Sequence, residues 1–202
     1  MRKATIGVLG FQGAIEEHVH VVREAMSKEG IRGEVVIVKK EEELEEVNGL
    51  IIPGGESTVI GSMMERTGIS RFLRKAWRSI AILGTCAGLI VLAKKIRDRV
   101  LGEVQQPRVG ILNAVVERNF FGRQRESFEA EIEIPLIGGT FKGVFIRAPV
   151  ILEVDGEAEI LCSWKGNIVG ARQGKVIATS FHPELAEDTR IHALFLRKTI
   201  ED

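Results

Sequence analysis

The sequence predicts an α/β protein: a three-layer sandwich with a mainly parallel central sheet and antiparallel additions. In the first half of the chain, short apolar strand-like runs alternate with segments whose apolar residues recur three and four positions apart. This alternation is typical of a parallel sheet covered by helices on both faces. From residue 109 to residue 181, short β-like runs separated by glycine-containing turns predominate. We therefore expect antiparallel strands that extend the same sheet.

The first helix is predicted by apolar residues spaced four, three and four apart, and this face leaves His18 and His20 on its polar side. The acidic run 41–46 predicts a short, solvent-facing helix. Strands are expected at 5–9, 34–38, 50–52 and 80–83, and helices from 15 to 26, at 59–66, at 71–77, directly after residue 86 and at 188–200.

The composition fits one domain spanning 1–202. Hydrophobic residues make up 45% of the 202 residues, enough for a sizeable core. The 28 acidic and 28 basic residues cancel, so overall charge gives no support to nucleic-acid binding. The two cysteines show neither disulfide nor zinc spacing, and no apolar stretch reaches the ~18 residues of a membrane span. We expect a soluble, cytoplasmic protein with no cofactor and no metal.

Residues 81–93 predict a nucleophile elbow, because an apolar strand runs through Gly-x-Cys-x-Gly into an apolar helix. Gly84 and Gly88 permit a sharp turn, and the helix start places its positive dipole end near the sulfur. Both effects favour a thiolate at Cys86. The alternative for a lone cysteine is a small buried apolar residue, and we assign that role to Cys162, which has no flanking glycines.

A histidine and a glutamate follow the β-rich run 175–181, as His182-Pro183-Glu184. The proline stops the strand, and the spacing of two places both side chains on one side of an extended backbone. With Cys86 as nucleophile, His182 as base and Glu184 as orienting acid, the chain has the three groups of an acyl-transfer triad.

A second glycine-rich turn, Pro53-Gly54-Gly55-Glu56-Ser57-Thr58, follows strand 50–52. Adjacent glycines allow a peptide NH to be aimed at a ligand. We expect the oxyanion hole to combine the NH of Gly55 or its neighbour with that of Ala87. The same segment also reads as a helix start capped by Ser57 or Thr58.

With these segments the chain resembles the triad-type (class I) glutamine amidotransferases, whose fold is flavodoxin-like, and more narrowly the glutaminase subunits of pyridoxal 5'-phosphate synthase. The motifs that carry the resemblance are Gly7-Val8-Leu9-Gly10-Phe11-Gln12-Gly13-Ala14, Glu17-His18, 53–58, 84–89, Val116-Glu117-Arg118-Asn119, Phe121-Gly122-Arg123-Gln124, Gly143-Val144-Phe145-Ile146-Arg147-Ala148-Pro149 and 180–184. They extend over nearly the whole chain. The stretch 99–108 is expected to vary, with nothing catalytic depending on it.

The resemblance implies hydrolysis of L-glutamine and transfer of the ammonia to a (β/α)8-barrel pyridoxal 5'-phosphate synthase subunit in a large hetero-oligomer. It also implies a set of glutamine-binding residues. Their charges suit free glutamine, since an acid can bind the α-ammonium group and an arginine the α-carboxylate. The implied residues are Gly55, Glu56, Ser57, Arg118, Ile146 and Arg147.

Two alternatives remain open from the sequence. One is a glutaminase that serves another ammonia-consuming synthase, in histidine or purine biosynthesis. The other is a non-enzymatic redox sensor or chaperone with a reactive elbow cysteine. The pair His182 and Glu184 disfavours a sensor, which needs a low thiol pKa and an accessible sulfur but no positioned base and acid.

Overall fold

The computed structural model describes residues 3–122 and 127–201 and is built around an eleven-stranded mixed sheet, with a separate two-stranded hairpin. The strands are β1 (Lys3–Leu9), β2 (Arg32–Val38), β3 (Gly49–Ile52), β4 (Ala81–Thr85), β5 (Ala93–Asp98), β6 (Gly102–Glu103), β7 (Leu112–Arg118), β8 (Phe128–Ile134), β9 (Gly139–Phe145), β10 (Val150–Val154), β11 (Glu159–Trp164), β12 (Asn167–Gln173) and β13 (Val176–Thr179). The helices are α1 (Ile15–Lys28), α2 (Ser57–Arg66), α3 (Ile69–Ala76), α4 (Ala87–Leu92) and α5 (Arg190–Ile200), and short 3-10 turns lie at Glu41–Leu44, Pro135–Ile137 and Pro183–Leu185.

The main sheet has a parallel part and a largely antiparallel part. Strands β2, β1, β3, β4 and β13 lie side by side in that order and are all parallel. The sheet continues through β12, β10, β7, β5 and β6, and β11 pairs with β12. Within this second part only β5 and β7 are parallel. Because β13 is the last strand in sequence but joins β4, it brings a late segment of the chain into the middle of the sheet.

Two apolar cores lie on opposite faces of the sheet. The alternation of a strand directs neighbouring side chains to opposite faces, so Ile82 of β4 packs in one core and Leu83 in the other. Helices α2, α3 and α4 cover the first core, and α1 and α5 cover the second. The predicted three-layer arrangement follows directly from this division.

No element was expected at 94–98, which belong to strand β5, whose Lys94 and Lys95 are exposed. Two local predictions were wrong. Strands β8 and β9 pair with each other as a separate hairpin and do not extend the main sheet. His18 is fully buried, because it lies four residues before Val22 on the buried face of α1; His20 is exposed as expected.

Within residues 3–122 and 127–201, none of the helices is both long enough and apolar enough to cross a membrane.

Candidate active site

The ends of three adjacent parallel strands build the site. Strands β3, β4 and β13 are neighbours in register, with Ile52 paired to Gly84 and Thr85 paired to Thr179. Their carboxyl ends therefore open at one edge of the sheet, where the loops of α/β proteins commonly bind ligands. The three loops carry the Gly54-Gly55 pair, Cys86 and His182.

The nucleophile elbow stores backbone strain at the cysteine itself. Cys86 has φ 50° and ψ −102°, a conformation that costs energy for a residue with a side chain. Its NH donates to the carbonyl of Thr179 on β13 at 2.8 Å, which fixes the turn to the neighbouring strand. The flanking glycines serve close packing instead of unusual φ. A methyl group at Gly88 would lie 2.1 Å from the carbonyl oxygen of Ile52, and one at Gly84 would lie 2.5 Å from Leu92.

The three predicted triad residues meet at this edge. His182 Nδ1 donates to Glu184 Oε1 at 2.7 Å, and its ring interacts with the side chain of Cys86. Burial of the ring by itself lowers the pKa of His182, but the bonds to Cys86 and Glu184 outweigh it and raise the pKa to about 10. An imidazole with this pKa is protonated at neutral pH. Glu184 lies in the turn Pro183–Leu185, so the pair is formed by a 3-10 turn and not by an extended backbone.

Glu184 is buried between two histidines. His18 Nε2 lies 3.3 Å from Glu184 Oε2 and 3.3 Å from the hydroxyl of Thr85, and His18 Nδ1 lies 3.0 Å from His192 Nε2. Burial lowers the pKa of His18 and lowers that of His192 to about 3. The ring of His192 is therefore neutral at pH 7.

The carboxylate nevertheless keeps its charge. Burial by itself raises the pKa of Glu184, but the electrostatic interactions with His18 and His182 and the bond from His182 hold it below its usual range. Sequence reasoning missed His192, and it placed His18 on the polar side of the first helix although the resemblance included it; the helical spacing of His18 from Val22 and Ala25 was a usable signal of burial.

The expected oxyanion donors lie on the two loops beside the sulfur. Ala87 is the first residue of α4, so its NH has no acceptor within the helix. Gly55 has φ 143°, which a side chain would resist. The NH of Glu56 donates to Gln12 Oε1 at 2.8 Å, so in this conformation it already has an acceptor within the protein. Of the two neighbours, Gly55 therefore stays the predicted donor.

A pocket of about 200 Å³ opens beside Cys86 and contains every predicted glutamine-binding residue. Arg118 and Arg147 bring positive charge and Glu56 negative charge to its wall. Ile90 and Asn119 also line it and were not expected. The predicted lining residues are Gly55, Glu56, Ser57, Arg118, Ile146 and Arg147.

Comparison with known proteins places this fold and site in a family. The model of the SNO glutamine amidotransferase family matches residues 8–201. The chain belongs to this family. It is 52% identical over 198 residues to pyridoxal 5'-phosphate synthase subunit PdxT of Aeropyrum pernix, covering 95% of this chain and 97% of that protein. It is 45% identical over 202 residues to the PdxT of Staphylothermus marinus, covering 97% and 98%.

Solved structures agree. A crystal structure of a glutamine amidotransferase, 47% identical, superimposes with a TM-score of 0.83 over 96% of this chain and 98% of that one. A putative GMP synthase protein from Thermoplasma acidophilum, 17% identical, has a TM-score of 0.65 over 99% and 94%, which is a likeness of fold alone. The predictions of the family, of the fold class, of a glutamine amidotransferase enzyme and of a glutaminase subunit in pyridoxal 5'-phosphate synthesis are confirmed.

One prediction about the surroundings of the pocket was wrong. The cap of α2 is Glu56, whose carboxylate accepts from the NH groups of Thr58 at 3.1 Å and Val59 at 2.8 Å, and not Ser57 or Thr58. The stretch 99–108 was expected to vary, with nothing catalytic depending on it, and this stays a prediction, but the stretch does contact residues of the pocket. Its buried Gln106 donates to Ser57 Oγ at 3.1 Å and accepts from Arg118 at 3.2 Å.

Backbone strain concentrates at this pocket. Four residues other than glycine have positive φ among those the structure describes: Cys86, Asn119, Arg147 and Lys165. The first three line the pocket. Such strain persists only where the surrounding structure enforces it, and it is common at ligand sites. Here the loops of Asn119 and Arg147 are tied together by the NH of Phe121, which donates to the carbonyl of Ala148 at 3.1 Å.

The described part of the glutamine amidotransferase contains no group of three or more His, Cys, Asp or Glu residues arranged for a metal ion. Cys162 is buried in β11 with its thiol free. Arg123 and Gln124, which belong to one of the resemblance motifs, lie outside the described residues.

Proposed function

We propose that Cys86, His182 and Glu184 hydrolyse the side-chain amide of L-glutamine and that the ammonia passes to a separate synthase subunit that makes pyridoxal 5'-phosphate. The observation that carries this proposal is the meeting of a strained cysteine, a glutamate-bound imidazole and a pocket with charges of both signs at the ends of β3, β4 and β13. The chain acts as one domain in a reducing cytoplasm, where a free thiol at Cys86 persists.

The chemistry follows from the positions of these groups. His182 holds the thiol proton, and the Cys86 thiolate attacks the amide carbon of glutamine. The NH groups of Ala87 and Gly55 stabilise the negative oxygen of the tetrahedral intermediate. The imidazolium then gives its proton to the leaving nitrogen, ammonia departs, and a γ-glutamyl thioester remains. Water, deprotonated by His182, cleaves the thioester to glutamate and restores the thiol.

The charged groups of the pocket orient the substrate. The Glu56 carboxylate accepts two hydrogen bonds from NH groups of α2, and its remaining lone pairs accept from the α-ammonium group of glutamine. Arg118 or Arg147 binds the α-carboxylate. The backbone at Ile146 lies close to the nucleophile, with its carbonyl oxygen 3.9 Å from Cys86 Sγ. This segment reaches the sulfur because the NH of His182 donates to the carbonyl of Val144 in β9 at 2.8 Å.

The partner is a (β/α)8-barrel synthase subunit in a large hetero-oligomer. The two PdxT relatives are named as subunits of pyridoxal 5'-phosphate synthase, which supports such an assembly here. Ammonia released into neutral water would be protonated and lose its nucleophilicity, so a partner must collect it through an enclosed path. The Gly54–Gly55 peptide supplies a switch, because its rotation turns the oxyanion donor toward or away from the site.

Steady-state ammonia release with and without the synthase subunit tests this proposal. We expect the chain alone to be a poor glutaminase and the complex to be much faster. Full activity of the chain alone, unchanged by a synthase subunit that is shown to bind it, would rule out the coupling. Glutamine hydrolysis by the complex that survives Cys86→Ala would instead rule out the assigned nucleophile.

A further inference from the structure

Gln106 lies behind the pocket and joins its two walls. Its side-chain oxygen accepts from Arg118 Nη1 at 3.2 Å, and its side-chain nitrogen donates to Ser57 Oγ at 3.1 Å. Arg118 ends strand β7 and Ser57 begins helix α2, and both line the pocket. Gln106 itself is only 7% exposed. One buried amide therefore links the cationic wall to the helix that follows the oxyanion loop.

The orientation of this amide is determined by chemistry. A guanidinium group has donors and no acceptor, so only the amide oxygen of Gln106 can face Arg118. The amide nitrogen then faces Ser57, whose hydroxyl oxygen accepts. Both ends of the Gln106 side chain are used, and neither alanine nor glutamate at this position can reproduce the two bonds together.

The backbone that carries Gln106 is held firmly against α2. A methyl group at Gly61 would lie 2.0 Å from the carbonyl oxygen of Pro107, so only glycine allows this approach of segment and helix. The side chain of Arg108 also donates to the carbonyl of Gln106, at 3.4 Å. The amide is thus presented from a fixed support.

Asp98 also fixes the side chain of Arg118. Arg118 Nε donates to Asp98 Oδ2 at 2.9 Å, and the side chains are 21% and 13% exposed. The NH of Val100 and the Arg118 guanidinium keep the pKa of Asp98 below its usual range. With Nε and Nη1 both bonded, the guanidinium is fixed before a substrate arrives. A pre-organised arginine avoids the side-chain entropy that an unfixed one loses on binding.

We propose that Gln106 is a positioning residue for substrate selection: it holds Arg118 in the orientation that binds the α-carboxylate of free glutamine. The residue touches neither the reacting amide nor Cys86, so its effect is on substrate binding and on preference for substrates with an α-carboxylate. This inference rests on the proposed function, and it assigns the carboxylate to Arg118 in preference to Arg147.

The test uses the complex of this chain with its synthase subunit. We expect Gln106→Ala to raise the KM for L-glutamine roughly tenfold or more, the usual effect of losing a hydrogen bond to a charged group, with a much smaller change in kcat. Gln105→Ala is the matched control, because Gln105 is the exposed neighbour and its side chain bonds to that of Glu103, at 3.4 Å, and to no other side chain of residues 3–122 and 127–201. Its KM should stay at the wild-type value.

Gln106→Glu is a second variant in case alanine disturbs folding. It keeps the volume and the acceptor for Arg118 but loses the donor for Ser57 and places a negative charge beside the arginine. We expect its KM to rise as well, because the added charge weakens the attraction of Arg118 for a carboxylate. A Gln106→Glu enzyme with wild-type KM would contradict the proposal.

A substrate without the α-carboxylate separates positioning from a general structural role. The ratio of kcat/KM for L-glutamine to that for 4-aminobutanamide should fall roughly tenfold in Gln106→Ala, because only glutamine uses Arg118. A variant that loses activity equally on both substrates would overturn the proposal while leaving the triad assignment intact. If wild-type enzyme itself does not discriminate between them, the role of Arg118 is wrong and the proposal falls with it.

Discussion

The two cysteines occupy regions with similar burial and different chemistry. Cys86 is 7% exposed and Cys162 is 4% exposed. Cys86 follows β4 in the parallel part of the sheet, with positive φ, a pocket beside it and an imidazole in hydrogen-bond contact. Cys162 lies in the middle of β11, where its sulfur packs over Gly170: a methyl group there would lie 2.7 Å from Sγ.

The difference shows that burial alone does not decide the reactivity of a thiol. Burial with no compensating partner raises the pKa of Cys162 to about 12, so its sulfur stays neutral and unreactive. The same degree of burial at Cys86 is accompanied by His182, whose own pKa is raised to about 10 by the contact. The neighbouring imidazole of His182, and not the exposed fraction of the sulfur, distinguishes Cys86 from Cys162.

Replacing each sulfur should produce the largest contrast. We expect Cys86→Ala to reduce glutamine hydrolysis by the complex on the order of 10^4-fold or more, because a triad nucleophile is lost. Cys162→Ala should stay within a few-fold of wild type and lose mainly stability. Equal losses of activity in Cys86→Ala and Cys162→Ala, with both variants folded, would contradict the distinction between the two cysteines.

The base and acid should follow in order of effect. His182→Ala should approach the loss of Cys86→Ala, because the imidazole is the base that takes the thiol proton. Glu184→Gln should be milder, since a thiol is more acidic than a serine hydroxyl and depends less on the orienting acid. Single-turnover measurements at saturating glutamine provide the check. Full turnover by Glu184→Gln would leave the carboxylate with a structural role only.

Glycine-to-alanine variants at Gly54 and Gly170 form a matched pair. A methyl group at Gly54 would lie 2.5 Å from Cε1 of His182, and a methyl group at Gly170 would lie 2.7 Å from Sγ of Cys162. We expect Gly54→Ala to displace the imidazole and lower kcat by at least tenfold. Gly170→Ala should lose about 1–3 kcal/mol of the free energy of unfolding through overpacking and keep its kcat. A Gly54→Ala enzyme that keeps its kcat, together with a Gly170→Ala enzyme that loses kcat, would contradict the comparison.

The smallest expected effect is the pH dependence that Cys162 adds to stability. Its pKa is near 9.0 when the chain is unfolded and about 12 when folded, so above pH 9 the unfolded state releases a proton that the folded state keeps. Stability therefore falls as pH rises from 9 toward 12, by about 1.4 kcal/mol per pH unit. Denaturant unfolding of wild type and Cys162→Ala at pH 8 and pH 10 measures this. A difference between the two proteins that does not shrink at pH 10 would show that Cys162 already ionises in the folded state.

Much of the site was predictable because its chemistry is encoded locally. The elbow at Cys86, the His182-Pro183-Glu184 turn and the Gly54-Gly55 pair are each a few residues long, and the parallel strands before them predict that they meet at one edge. The pocket gathers all six residues that the resemblance implied, and their roles in binding glutamine stay predictions.

The unpredicted parts depend on contacts between distant segments. Gln106 bonds to Ser57, 49 positions away, and His18 bonds to His192, 174 positions away; no spacing rule reports such pairs. Strand β5 was not predicted, because Ala93 and Ile96 continue the apolar pattern of α4. Lys94 and Lys95 of β5 are both exposed, because the strand lies near the edge of the sheet, where the alternation of buried and exposed residues is weak.

The row of imidazoles behind Glu184 has a consequence for when the enzyme becomes active during synthesis. His18 Nε2 lies 3.3 Å from Glu184 Oε2, and His18 Nδ1 lies 3.0 Å from Nε2 of His192, which belongs to α5. Helix α5 leaves the ribosome after every other helix and strand in the described chain. Until it docks, Glu184 lacks the contact between His18 and His192 that lies behind it. We therefore expect a chain in which α5 has not docked to hydrolyse glutamine more slowly than the complete fold.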